Sequence, residues 1–146
     1  MLFRSADTEA TLGPLTGLVN NAGVLLMEPL ETTSLAAAAR VLEVNTLGVF
    51  LGMRSVVPAM RRAGGGSIVN IASIDGVAAM NSVGMYTASK FAVRGLTRAA
   101  AIEHGRDNIR VNAVCPAMGN PMMVEPFLER IDVQRYLAAE IGRAHV

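Results

Sequence analysis

Gly64-Gly65-Gly66-Ser67-Ile68-Val69-Asn70-Ile71-Ala72-Ser73 is the stretch on which the fold turns. Three consecutive glycines break any regular element before them. The run that follows is short, apolar and β-branched, and reads as a buried strand over 67–73 that ends on a serine. The glycine triplet lacks the helix start and the Lys-Ser/Thr pair of a Walker phosphate loop, so it reads as a turn. Downstream, a loop over 74–82 leads to a helix over about 83–104, a strand over 109–114 and a helix over about 127–138. Upstream, Thr32, Thr33 or Ser34 can cap a helix from about 34 to 62, interrupted near 45–48, and a strand covers about 16–20. Strands alternating with helices argue for βαβ units, a parallel sheet and one α/β domain.

Chemistry can be placed on this frame. In Tyr86-Thr87-Ala88-Ser89-Lys90, the tyrosine and the chain's only lysine share a helix face at i and i+4. An ammonium one turn from a phenol favours the phenolate and is expected to lower the Tyr86 pKa toward working pH. A tyrosine tuned in that way can exchange a proton with a substrate oxygen. Ser73 closes a strand, and open α/β sheets bind ligands beyond the carboxyl ends of their strands. Gly17-Leu18-Val19-Asn20-Asn21-Ala22-Gly23 runs a short strand into residues that tolerate unusual backbone angles and let a ligand approach closely. Val44-Asn45-Thr46-Leu47-Gly48 carries an asparagine in a buried-looking helix, where its amide needs partners. Each feature alone is compatible with an ordinary packed or solvated residue.

In this order and spacing the four motifs closely resemble the short-chain dehydrogenase/reductase family, over about residues 12–138. The resemblance implies a partial Rossmann-like, three-layer α/β/α fold with the parallel sheet reduced to about three strands, the family's fourth, fifth and sixth. It implies NAD(P)-dependent interconversion of a secondary alcohol and a ketone. Ser73 would polarise the substrate oxygen, and Tyr86 would exchange the proton while hydride passes between substrate carbon and nicotinamide C4. Lys90 would depress the Tyr86 pKa and hydrogen-bond the nicotinamide ribose, and Asn45 would hold a water that links Lys90 to solvent. The implied catalytic set is therefore Asn45, Ser73, Tyr86 and Lys90. The implied contacts to NAD or NADP are Asn20, Ala22, Gly23, Asn45, Ile71, Tyr86, Lys90, Pro116 and Ala117. Bacterial hydroxysteroid dehydrogenases and 3-oxoacyl-carrier-protein reductases are the groups that the 66–73 strand and the 83–104 helix look most like. A silent relative acting as a binding protein is the competing class, and the intact Asn45, Ser73, Tyr86 and Lys90 argue against it.

The departures from the family are equally specific. Members begin with Thr-Gly-x-x-x-Gly-x-Gly, which seats the cofactor pyrophosphate on a helix N-terminus, and this chain has no such turn. The expectation is a catalytically incompetent fragment that starts just before the fourth strand and stops before the last, leaving an open edge on strand four. The segment that selects NAD or NADP would be absent with it. Where the family reads Pro-Gly-x-x-x-Thr after the sixth strand, this chain reads Pro116-Ala117-Met118-Gly119-Asn120-Pro121, with Asn120 a candidate substitute for the threonine. Met118, Met122, Met123 and Phe127 make an apolar loop suited to a lipid-like or alicyclic substrate, or equally to core packing. The ends carry a further signal. Ile141-Gly142-Arg143-Ala144-His145-Val146 is one reading frame of a common sequencing adaptor up to its stop codon, and Met1-Leu2-Phe3-Arg4-Ser5 fits the reverse complement. Residues 1–5 and 140–146 are accordingly expected to be adaptor-derived, and 6–139 biological.

Composition bounds the alternatives. At 51% hydrophobic and 17% charged the chain suits a packed interior, and a net charge of +1 gives no reason to expect nucleic acid or an anionic membrane. No uninterrupted apolar run of membrane-spanning length and no signal peptide is read. The single cysteine, Cys115, cannot form an intrachain disulfide, which points to a reducing cytoplasm, and its apolar strand makes it a core residue. His104 and His145 are isolated and no Cys/His cluster has metal-ligand spacing; His104, in a last helical turn, reads as structural. Ala92, Gly95, Leu96 and Ala99 form a small-residue stripe that allows close helix packing on the sheet or across a homodimer or homotetramer interface.

Overall fold

A computed structural model describes residues 5–117, 121–123 and 125–130. It contains α1 (Ser5–Leu12), β1 (Gly17–Asn20), α2 (Leu35–Leu42), α3 (Gly48–Arg62), β2 (Gly66–Ile71), α4 (Gly84–His104) and β3 (Ile109–Val114). The strands form one parallel sheet in the order β1-β2-β3, with Asn20 opposite Asn70 and Ile71 opposite Val114. This is the Rossmann-like α/β arrangement read from the sequence, strand for strand.

Each element has a local cause. Ser34 accepts a hydrogen bond from Ala37 N at 3.2 Å and so starts α2, the last of the three capping candidates. The interruption expected near 45–48 is a π-helical turn, Glu43–Leu47, between α2 and α3. Such a turn adds a residue to the helix and re-aims side chains, and here it leaves Asn45 only 1% exposed. Glycines 64 and 65 both adopt positive φ, +83° and +139°, in the turn that feeds β2.

One face of the sheet is covered by both long helices. Val49, Met53, Val56, Val57 and Met60 of α3 and Val93 and Ala100 of α4 pack with Ile68, Ile109 and Val111 in a single core. Fully burying an aliphatic side chain such as Ile68 or Met60 contributes about 1.5–3 kcal/mol, so this layer dominates the stability of the described part. The polar residue inside it is satisfied: Asn70 donates to Thr97 Oγ1 at 3.0 Å and accepts from Asn20 Nδ2 at 2.8 Å. On the opposite face Val19 is 64% and Val114 48% exposed. By length and composition the run Leu35–Arg62 would suffice to cross a membrane; seven of the α3 residues in it are buried, most of them in this core.

Two readings need correction. Helix α1 was not foreseen; it lies against α3 through the Arg62–Glu9 ion pair and a 3.1 Å bond from Ser5 Oγ to the Ser55 carbonyl, tertiary contacts that no local pattern announces. The helix expected over 127–138 is, in its described part, a 3₁₀ segment, Glu125–Arg130, preceded by another at Pro121–Met123. Pro121 and Pro126 lack an N–H, and short 3₁₀ turns accommodate them. Residues 131–138, Met118 and Asn120 lie outside the described residues. So do the end segments read as adaptor-derived, apart from Ser5.

Candidate active site

The carboxyl ends of the three strands and the first turns of α4 converge. β2 runs out at Ile71, and two residues later Ser73 caps a 3₁₀ turn, Ile74–Gly76, its Oγ accepting from Asp75 N at 3.2 Å. That turn is tied to the residues after β3: Ile74 N donates to the Pro116 carbonyl at 2.9 Å, and Ala72 N to the Val114 carbonyl at 2.8 Å. It is also pressed on α4. A Cβ at Gly76 would lie 2.9 Å from the Lys90 carbonyl oxygen, and Arg94 Nη1 donates to the Gly76 carbonyl at 2.6 Å. Ser73 is thereby held at 7% exposure facing α4.

Tyr86, in the first turn of α4, is 8% exposed, and Lys90, one turn on, is 5% exposed. Lys90 Nζ lies 5.5 Å from the centre of the Tyr86 ring and donates to the Ile71 carbonyl at 3.0 Å. Asn45 makes three hydrogen bonds in the same region. Its Oδ1 accepts from Val24 N at 2.8 Å, and its two amide hydrogens go to the Val24 carbonyl at 2.9 Å and to Ser89 Oγ at 3.0 Å. Ser89 in turn donates to the Tyr86 carbonyl at 2.6 Å. The π-helical turn, the loop after β1 and the Tyr86 helix are thus locked by one buried asparagine and one buried serine.

The electrostatics differ from the sequence expectation in one respect. Burial pushes the Tyr86 phenol above its ordinary range; hydrogen bonding from Ser73 pulls it down, and the charge of Asp75 pushes it up again. Proximity of Lys90 does not produce the net lowering read from the i, i+4 spacing. The cause is the same burial: the Lys90 ammonium is itself pushed down by loss of solvent, opposed by the charge of Cys115.

The positions implied for cofactor contact fall into two groups. Gly23, Asn45, Ile71, Tyr86 and Lys90 are together: a Cβ at Gly23 would lie 3.4 Å from Asn45 Oδ1 and 3.5 Å from Lys90 Nζ, so the bare glycine leaves space beside both. Gly23 is not among the described positive-φ glycines; close approach, not backbone freedom, is what its missing side chain provides. Ala22, Pro116 and Ala117 are exposed around this mouth. Asn20 points elsewhere, its amide committed to Asn70 and, at 3.5 Å, to the Val49 carbonyl beneath the sheet ends. It supports the site from behind.

Sequence reasoning missed Asp75, Gly76, Ser89 and Arg94. Arg94 could have been found, since it continues the Tyr86–Lys90 face by another four residues. It also missed an apolar wall: Met27, Val83 and Tyr86 form a buried cluster with Leu25, Met80 and Phe127 packed against it. Of the methionine loop, Phe127 joins this wall, while Met122 is 75% exposed. Cys115 packs on the main core as expected. His104 sits near the far end of α4 with Arg61 and Asp107, a structural cluster.

Comparison with known proteins gives the family and the fold. The family model for short chain dehydrogenase matches residues 4–131. A 3-alpha-(or 20-beta)-hydroxysteroid dehydrogenase of Mycobacterium tuberculosis is 48% identical over 122 residues, covering 83% of this chain and 47% of the relative. A cyclopentanol dehydrogenase of Comamonas sp. is 41% identical, with 89% and 53% covered. Among solved structures, a gluconate 5-dehydrogenase of Burkholderia cenocepacia in complex with NADP and tartrate superimposes with a TM-score of 0.81 at 30% identity, covering 85% of this chain and 49% of that one. The chain spans about half the length of these relatives.

Proposed function

The chain belongs to the short-chain dehydrogenase family, and from that premise we propose that it carries the catalytic half of an NAD- or NADP-dependent oxidoreductase that interconverts a secondary alcohol and a ketone. The observation that supports this best is the convergence of Ser73, Tyr86 and Lys90, all under a tenth exposed, on one mouth at the strand ends. The bare Gly23 lies beside Lys90 Nζ and Asn45 Oδ1, and a cofactor ribose approaching there would offer its hydroxyls to an ammonium and an amide oxygen. A bound nicotinamide would supply or accept the hydride.

The protein's own groups do the rest. In ketone reduction the Ser73 hydroxyl donates to the carbonyl oxygen and stabilises the charge that develops there. Tyr86, held as a neutral phenol by burial, delivers its proton to the same oxygen. Lys90, fixed by Ile71, compensates the phenolate left behind. Both amide hydrogens of Asn45 are committed, so a relay water there would bond its main-chain carbonyl or the remaining lone pair of Oδ1. In alcohol oxidation the proton travels in reverse.

The substrate class is read from the wall of Leu25, Met27, Met80, Val83 and Phe127 beside Tyr86: a compact apolar or alicyclic alcohol, in keeping with the names of the hydroxysteroid and cyclopentanol relatives. The complete protein is proposed to be cytoplasmic and a homodimer or homotetramer. Phe50 at 41% and Phe91 at 45% exposure, with exposed Gly95 and Ala99, give α3 and α4 a surface that a second copy would cover. Alone, the 146 residues are proposed to be inactive, since the sequence holds no glycine-rich pyrophosphate turn.

The test is steady-state oxidation of alicyclic secondary alcohols by the complete protein carrying this chain, with NAD and with NADP, comparing the parent with Tyr86→Phe. Loss of at least about 10²–10⁴-fold in rate is expected. A folded Tyr86→Phe variant with parental rates would remove Tyr86 from the mechanism.

A further inference from the structure

We infer that Arg94 is a positioning residue for Ser73: it straps the turn that carries the serine onto α4 and so fixes where the hydroxyl meets a substrate oxygen. The inference rests on the proposed role of Ser73 in alcohol–ketone interconversion. Helix α4 presents two cations one turn apart, Lys90 and Arg94, on the face that begins with Tyr86. Each takes a main-chain carbonyl from the segment that leaves β2. Lys90 Nζ donates to the Ile71 carbonyl at 3.0 Å, two residues before Ser73, and Arg94 Nη1 to the Gly76 carbonyl at 2.6 Å, three residues after it. Ser73 therefore lies between two points at which its backbone is bonded to the tyrosine helix.

A single 3₁₀ turn has poor hydrogen-bond geometry of its own and depends on its surroundings. Ile74–Gly76 closes on itself through Gly76 N to the Ser73 carbonyl at 2.9 Å and Val77 N to the Ile74 carbonyl at 2.8 Å, and Ile74 N ties it to the Pro116 carbonyl. Ser73 Oγ accepts from Asp75 N at 3.2 Å, so the place of the hydroxyl follows the place of the turn. Those bonds set the shape of the turn, and Gly76 seats it. A Cβ there would lie 2.9 Å from the Lys90 carbonyl oxygen, so the main chains already touch. Contact limits how near the turn can come; the bond from Arg94 draws it in to that limit. A guanidinium donor makes such a bond charge-assisted, roughly twice as strong as a neutral one, and it keeps its charge at any working pH. Ser73 sits at the start of the turn so held, and an error of about 1 Å in placing a reacting group can cost about 10²-fold in rate.

The test is a double-mutant cycle in the complete protein, read by steady-state alcohol oxidation. Arg94→Met keeps an apolar stem and loses the donor. It should lower kcat by about 10- to 10²-fold with the KM for the nucleotide unchanged. Arg94→Lys, which can still donate to a single carbonyl, should recover most of that loss. In a Ser73→Ala background the same Arg94→Met change should cost less than about twofold, because the group it places is gone. Hydrogen exchange gives a local readout: the Gly76, Val77 and Ala78 amides, bonded to the Ser73 and Ile74 carbonyls, should exchange faster in Arg94→Met while α4 keeps its parental protection. Arg94→Gln, shorter and neutral, serves if the methionine variant does not fold. A parental kcat in Arg94→Met, an equal loss in both backgrounds, or a lysine variant no better than the methionine one would overturn the role of Arg94 and leave the oxidoreductase reading standing. Parental rates in Ser73→Ala alone would sink the reading of Ser73 itself, and this inference with it.

Discussion

Lys90 Nζ donates to the carbonyl oxygen of Ile71 at 3.0 Å, so the last residue of β2 fixes the only ammonium beside the Tyr86 ring. A lysine has four rotatable bonds, and holding it in one geometry requires a partner of this kind. The bond also explains why strand register matters to chemistry: a shift of β2 by one residue would aim the wrong carbonyl at α4.

Lys90→Met should therefore keep the helix and lose both the charge and the hydrogen bond. In the complete protein the oxidation profile should move to higher pH, and calorimetric titration with the nucleotide should show weaker binding. Unchanged affinity would argue that Lys90 has no ribose contact.

Ser89→Ala tests the lock between the π-helical turn and α4. It leaves one amide hydrogen of the buried Asn45 without its serine acceptor. Stranding a buried donor costs about 1–3 kcal/mol, so the urea midpoint should fall accordingly. A midpoint equal to the parent would mean that Asn45 finds another acceptor.

Two glycines make opposite predictions. At Gly76 a Cβ would lie 2.9 Å from main-chain oxygen of Lys90, so Gly76→Ala should destabilise by about 1–3 kcal/mol as turn and helix separate. At Gly23 the nearest atoms would be 3.4 and 3.5 Å away, so Gly23→Ala should melt like the parent yet bind the nucleotide less well. Equal thermal shifts in the two variants would contradict this reading of the site.

The buried phenol has a signature in stability. Its raised folded pKa means that its contribution is complete below the unfolded value of about 10 and is lost as pH rises through the folded value. Lys90, lowered on folding, acts oppositely: its contribution is present above about 10.4 and is lost as pH falls through the folded value. Tyr86→Phe removes only the first effect. Urea unfolding of parent and variant at about pH 8 and pH 11 should show the parent losing stability relative to the variant as pH rises. A pH-independent difference would mean that the phenol is not buried as described.

The resemblance to the family supplied the strand order; the residues themselves determined the three strands, the α/β class, Ser73 at a strand end, and Tyr86 and Lys90 on one helix face. Those readings depend on local rules: β-branched runs make strands, i and i+4 share a helix face, and strand ends point at ligands. The break in the helix at Asn45 was legible for the same reason. Tertiary structure decided what these residues touch. Asn45 meets Val24 and Ser89 across 21 and 44 residues of chain, and Arg94 meets Gly76 across 18, distances over which no periodicity carries information. It also reversed the direction of the Tyr86 pKa. Spacing places a cation beside a phenol, but only the folded chain decides how much water both lose, and at Tyr86 that loss is the largest effect.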